Sequence, residues 1–259
     1  MKTVIVTQEE PFYIPLSITN IIKSSSCNIA AIIVLPGVTG GLNIFRSIKN
    51  FVMMLGFFDF IAYGLVYTKY KLLDWFDFLF KPDRFYSVKK AAKKNNIPLY
   101  YFDDINDKSS INILKKIQPD VIVSIAAPQI FKKEIIGLAK YVINVHGALL
   151  PKYQGMMPGF WAMAKGEKEA GVTVHFINEE IDQGDILIQK KHKIADDETL
   201  HSMQTKIAIT GAEAIREALT VLQKGDFNVV HPDLQKGSYF SFPTREAARE
   251  FRSRGYRFI

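Results

Sequence analysis

Five short apolar runs, at residues 4–6, 29–35, 99–102, 121–125 and 142–145, recur along the chain with helix-like segments between them. They are rich in Val and Ile and apolar at consecutive positions, the pattern of strands buried on both faces of a parallel sheet. Parallel strands need crossover connections, which are usually helices lying on the sheet. The predicted fold class is therefore α/β: a Rossmann-like, mostly parallel twisted sheet with helices on both faces. With 259 residues, 48% of them apolar, the chain can bury such a core and falls outside disordered and collagen-like compositions.

Local signals set the elements around those strands. Ser87 is placed to cap a helix carrying Lys89, Lys90, Lys93 and Lys94, and Asn95, Asn96 and Pro98 end it. Pro119 stops the next helix. After residue 170, Val172, Val174 and Phe176 alternate with other side chains, and a run at 185–191 follows the turn residues Asp182, Gln183 and Gly184, predicting two neighbouring strands. A long helix follows, capped by Asp196 or Asp197, with apolar positions from Leu200 to Leu222 at steps of three and four, and Gly225 closes it. Residues 1–225 read as one unit and 226–259 as a short C-terminal extension. The irregular stretch 227–242 is a candidate dimer contact, and a homodimer is expected. Thr244 opens a basic helix whose interleaved Glu246 and Glu250 favour a solvated face over a phosphate contact.

The segment 42–80 is unusually aromatic, and between Phe51 and Thr68 its only charge is Asp59. That length could just cross a bilayer, but Gly56, Gly64 and the central Asp59 argue against a spanning helix. A buried or substrate-covering helical hairpin is expected, with peripheral membrane contact as the alternative. Lys and Arg outnumber Asp and Glu by 33 to 26, a net charge of +7 that suits phosphate-bearing ligands, nucleic acid or an anionic membrane without choosing among them. The single Cys27 excludes a disulfide framework and a Cys-rich zinc site, and His192, His201 and His231 have no partner at metal-ligand spacing, so no metal is expected. The apolar start of the chain is too short for a secretory signal, and a cytoplasmic location is expected.

The most informative stretch runs from Val142 to Gly155. Asn144 and His146 project from one side of a strand at its carboxyl end, where ligands of open α/β sheets bind, although two such residues alone could be a hydrogen-bonded core pair. Together with Leu149, Leu150, Pro151, Tyr153 and Gly155, they resemble the signature of the folate-dependent N-formyltransferases. A second block, Gly171 to Leu187, resembles that family's segment bearing its catalytic aspartate, which falls at Asp182. Gly147 departs from the pattern, which commonly has serine after this histidine.

The resemblance implies transfer of a formyl group from N10 of 10-formyltetrahydrofolate to a primary amine, with Asn144, His146 and Asp182 as catalytic residues. It also implies that Ala126, Ala127, Pro128, Gln129 and Ile130, with Asn178, Glu179, Glu180 and Ile181, read the pterin ring, while Leu150, Pro151 and Gly155 shape the loop between. For 126–130 an ordinary strand-to-helix turn, with Pro128 at a helix start, is the competing reading. His175 is expected to satisfy a local hydrogen bond, and His192, His201 and His231 to lie at the surface.

Three acceptors are considered. Glycinamide ribonucleotide enzymes carry a glycine-rich phosphate loop after the first strand, where this chain has Glu9 and Glu10. Methionyl-tRNA enzymes carry a further barrel-like domain, which the stretch after Gly225 is expected to be too short to hold, so nucleic acid is disfavoured. A nucleotide-linked amino sugar remains as the expected small-molecule partner. Hydrolysis of the donor to formate is the alternative reaction.

Overall fold

A computed structural model describes residues 1–23, 28–37, 44–76 and 84–259, with the backbone alone for 44–47. Cys27, Leu42, Phe78 and Phe80 lie outside the described residues. The first five strands are β1 (Lys2–Gln8), β2 (Asn28–Leu35), β3 (Leu99–Tyr101), β4 (Val121–Ile125) and β5 (Tyr141–His146). They pair in parallel in the order β3-β2-β1-β4-β5. Two further strands, β7 (Glu169–Phe176) and β8 (Ile186–Lys193), extend the sheet antiparallel beyond β5. The sheet is therefore mostly parallel, as the apolar runs require.

Period-two alternation distributes each strand between two cores. From β1, Ile5 faces helices α1 (Ile14–Ile22), α3 (Val88–Lys94) and α7 (Leu200–Lys224), meeting Ile18, Val88 and Ala212; Val4 and Val6 face α4 (Lys108–Ile117) and α5 (Lys133–Ile136), meeting Leu114 and Ile135. Val123 and Ile122 of β4 divide in the same way. Every one of these side chains is buried, and each Val, Ile and Leu among them contributes roughly 1.5–3 kcal/mol of apolar transfer.

Helix ends follow the sequence signals with one correction. Ser87 Oγ accepts from Lys90 N at 3.2 Å, and Gly225 closes α7 in the left-handed conformation. The α7 cap, however, is Thr199, not Asp196 or Asp197. Thr199 Oγ1 accepts from Ser202 N and Thr199 N donates to Ser202 Oγ, both at 3.0 Å, a reciprocal box that satisfies two N–H groups at once.

A third core joins α6 (Pro158–Ala164) to the C-terminal helix α8 (Arg245–Ser253), where Phe251 lies 5.1 Å from Phe160 and 4.8 Å from Phe258. Residues 226–259 thus pack back on the body. Their arginines are not simply solvated, as the charge pattern suggested: Arg254 Nε donates to Ala164 O at 2.6 Å, and Arg252 ion-pairs with Asp59 at 2.9 Å. A short pair, β6 (Gln154–Gly155) with β9 (Tyr239–Phe240), ties the extension to the loop after β5.

The aromatic segment forms α2 (Ile44–Trp75), interrupted at Gly56 (φ 74°, ψ 168°). Length and composition would let Ile48–Trp75 cross a membrane. Of the two forms expected for the hairpin, buried or substrate-covering, the buried one is not what forms: many of its large apolar side chains are exposed, Phe57 and Phe58 among them. Only part of its surface, with Met54 and Leu55 buried, enters the third core.

Candidate active site

β5 places Asn144 and His146 two residues apart, and β7 sets His175 directly opposite Asn144 and Thr173 opposite His146. Opposed residues of antiparallel strands share a face, so Asn144 and His175 meet: Asn144 Nδ2 lies 3.1 Å from His175 Nε2. His175 Nδ1 lies 2.9 Å from the Phe176 carbonyl oxygen, which only accepts, so that nitrogen is the donor there.

Asp182 closes the cluster from the β7–β8 loop. Its backbone is left-handed (φ 54°), a conformation Asp tolerates better than most residues, and the turn brings the side chain back to the sheet. Gly184 permits that return, since a Cβ there would lie 1.7 Å from the Phe176 carbonyl oxygen. Asp182 Oδ1 stands 3.4 Å from Asn144 Nδ2 and 3.5 Å from His175 Nε2; Oδ2 stands 3.4 Å from His146 Nδ1 and accepts from Gly155 N at 2.9 Å. The structure therefore brings Asn144, His146 and Asp182 together at the carboxyl end of β5.

The loop between His146 and Gly155 is held from several sides. Thr173 Oγ1 donates to Ala148 O at 2.6 Å and accepts from Leu150 N, while Gln189 Nε2 reaches Leu150 O at 3.1 Å. Leu150 is buried, and the Leu150–Pro151 peptide is cis. Tyr153 O receives His146 Nε2 at 2.8 Å. At Gly155 (φ 90°) a Cβ would lie 2.4 Å from Phe240 O, so only glycine admits the β6–β9 pairing that presents its N–H to Asp182.

Electrostatics follow from this burial. Desolvation pushes the His146 imidazole below the usual histidine range, outweighing the pull of Asp182 and the Tyr153 carbonyl. For Asp182 burial works upward, but the hydrogen bond with His175, the His146 imidazole and the Gly155 N–H outweigh it and hold the carboxyl at about 2. At neutral pH the site combines an uncharged His146 with a carboxylate.

The flanking loops also take defined places. Ala126 is exposed with φ 49°, and Ala127, Pro128 and Gln129 are half-buried. No helix starts at Pro128; α5 begins five residues later, which removes the strand-to-helix reading of that proline. Gln129 instead clamps the loop after β3, donating to Asp103 O at 2.6 Å and accepting from Ile105 N at 2.8 Å. Asn178 turns the second loop by accepting from Glu180 N at 3.1 Å, and Glu179, Glu180 and Ile181 are exposed. Ala127 and Ile177 pack on the same core, so both loops rise from one side of the sheet. Ile130 and Ile181 expose apolar surface there, and the amide of Asn144, the imidazole of His146 and the carboxylate of Asp182 are groups that fit a folate-borne formyl group, for oxyanion stabilisation and proton transfer.

His175 makes the local hydrogen bond expected of it, to the Phe176 carbonyl, and it also faces Asn144 and Asp182. Its signal lay in the same block as Asp182, but only the β5–β7 register reveals that it faces Asn144. The backbone groups of Tyr153 and Gly155 carry no side-chain signal at all. Among the other histidines, His231 is exposed and pairs with Asp185 at 2.6 Å. His192 meets Met203 Sδ at 3.3 Å, and His201 meets Tyr13 Oη at 2.8 Å; neither is a plain surface residue.

Residues 80–219 match the family model described as formyl transferase. The methionyl-tRNA formyltransferase of Fusobacterium nucleatum is 29% identical over 175 residues, covering 65% of this chain and 56% of that protein. That of Clostridioides difficile is 38% identical over 140 residues, covering 54% and 45%. The chain spans about half the length of the curated relatives it matches. In fold it resembles the N-formyltransferase of Helicobacter canadensis solved with folinic acid and dTDP-3-aminofucose, with TM-score 0.59, 18% identity and coverage of 93% and 71%. Glycinamide ribonucleotide transformylase 1 of Symbiobacterium toebii gives TM-score 0.59, 15% identity and coverage of 87% and 89%. The family match takes in β4, β5, the Asp182 turn and most of α7, and by it this chain belongs to the formyl transferase family.

Proposed function

We propose that the protein transfers a formyl group from 10-formyltetrahydrofolate to a primary amine carried by a nucleotide-linked sugar. The observation that carries the reaction is the meeting of Asp182 with Asn144 and His146 at the end of β5. The backbone of 126–130 and 178–181 would hold the folate, which supplies a formyl carbon bonded to nitrogen. Asn144 Nδ2 donates to the formyl oxygen as negative charge builds on it. His146 Nε2 is held by the Tyr153 carbonyl, so Nδ1 is the atom that takes the amine proton and later returns it to the departing N10. Asp182 stabilises the imidazolium formed in between. One C–N bond forms, one breaks, and a single proton passes from amine to N10.

The loop after β1 disfavours a glycinamide ribonucleotide acceptor. Glu10 accepts from the N–H groups of Phe12, Tyr13 and Ile14 at the start of α1, and Glu9 from Val88 N and Lys89 N at the start of α3. Carboxylates of the chain itself thus use the donors a ribonucleotide phosphate would need. The fold relative solved with dTDP-3-aminofucose carries the kind of acceptor proposed. Aminoacyl-tRNA is the second reading, favoured by the sequence relatives. Incubation with 10-formyltetrahydrofolate and each acceptor decides: tetrahydrofolate released only with an amino-sugar nucleotide supports the proposal. Release only with methionyl-tRNA, or formate without an acceptor, refutes it.

A further inference from the structure

The second half of α2, from Phe57 to Trp75, presents its faces in an inverted sense. Toward the body, Tyr63 and Tyr70, with Tyr67 at their edge and 45% exposed, surround Phe12 with ring centroids 5.9, 5.6 and 6.1 Å away, and Asp59 pairs with Arg252 at 2.9 Å. Away from it point Phe57, Phe58, Ile61, Leu65, Leu72 and Trp75, which are 66, 84, 45, 67, 47 and 70% exposed. At 3.6 residues per turn these six fall within an arc of about 100°. Lys69 and Lys71, both exposed, flank the arc on opposite sides. A helix packed for its own fold would turn the apolar face inward; here the polar and tyrosine face is the one engaged.

We propose that this stripe seats the protein on the surface of an anionic phospholipid bilayer, with the helix lying in the headgroup plane. Aromatic and aliphatic side chains enter the acyl boundary while the flanking lysines reach the phosphates. The chain's net charge of +7 acts in the same direction. Crossing the bilayer would require tearing Asp59 from Arg252 and the tyrosines from Phe12. A second copy of the chain would set a lysine-edged stripe against itself, like charge on like charge, whereas phosphate headgroups complement it.

Flotation of the full chain with vesicles tests this. Binding to phosphatidylcholine vesicles containing roughly one-quarter phosphatidylglycerol should exceed binding to pure phosphatidylcholine by about tenfold and fall with salt. F58E/L65E should abolish binding with an unchanged melting temperature, K69E/K71E should erase the lipid preference, and W75F should remove the blue shift in fluorescence. Absence of binding, or full binding by F58E/L65E, overturns the proposal. So does resistance to carbonate extraction, which would mean a spanning helix. A vesicle-independent dimer that F58E/L65E dissociates would assign the stripe to a second copy.

Discussion

His146 Nδ1 stands 3.4 Å from Asp182 Oδ2, while Nε2 of the same ring is held 2.8 Å from the Tyr153 carbonyl oxygen. One nitrogen is thereby fixed as a donor, and proton exchange falls to the atom facing the carboxylate. Asp182→Asn keeps the shape and tolerates φ 54°, yet removes the charge that stabilises an imidazolium. It should lower kcat by roughly 10²–10⁴-fold with little change in KM for the folate donor, as steady-state kinetics would read.

In the proposed reaction Asn144 offers the other half of the charge balance, an amide N–H for the developing oxyanion. Asn144→Ala should cost about 2.7–4 kcal/mol in the barrier. The residue is only half-buried, so the melting temperature should fall by no more than a few degrees. A variant that unfolds instead would show the amide to be structural.

What could be read along the chain, and what could not, divides by the range of the interaction. Strands such as β4 announce themselves because both faces are buried and, Ser124 aside, the positions of β4 are apolar. Ser87 and Thr244 are local caps and were legible; Thr199 was not, because two aspartates nearby offered equally good oxygens and only the reciprocal bond with Ser202 decided between them. His175 opposite Asn144 depends on strand register, and the pairing of Gly155 with Phe240 joins residues far apart in sequence. Arg252 reads as a surface charge in sequence, and its pair with Asp59 joins residues far apart in the chain. The outward face of α2 defied the usual inference from aromatic spacing, which gives the width of an apolar stripe but not the side it faces.

Gly155 joins the fold to the site, since it pairs with Phe240 and its N–H donates to Asp182. Gly155→Ala would force a Cβ against Phe240 O at positive φ. Loss of at least about 2 kcal/mol in denaturant unfolding is expected, with kcat reduced in the fraction that remains folded.

Phe251 is fully buried between Phe160 and Phe258, so the extension shares a core with α6. Phe251→Ala should destabilise by about 3–5 kcal/mol in a single cooperative transition. A separate early melting step confined to residues 226–259 would show that this stretch folds on its own.

Acid should act on the same cluster in two steps, and the sign is set by which state binds more protons. The His146 imidazole is depressed in the folded state, so as pH falls below its ordinary value of 6.5 the unfolded chain takes up the proton first and stability declines. Asp182 is depressed from 3.8 to about 2, so its contribution is complete above 3.8 and is lost as pH falls toward 2, an amount on the order of 2 kcal/mol. Unfolding free energies measured from pH 7 to 2.5 should fall less steeply below pH 4 in Asp182→Asn than in the parent protein. The acid limb of kcat/KM, set by protonation of His146, should lie below pH 6.5; a limb above that value would mean that His146 is not the group whose uncharged form the reaction needs.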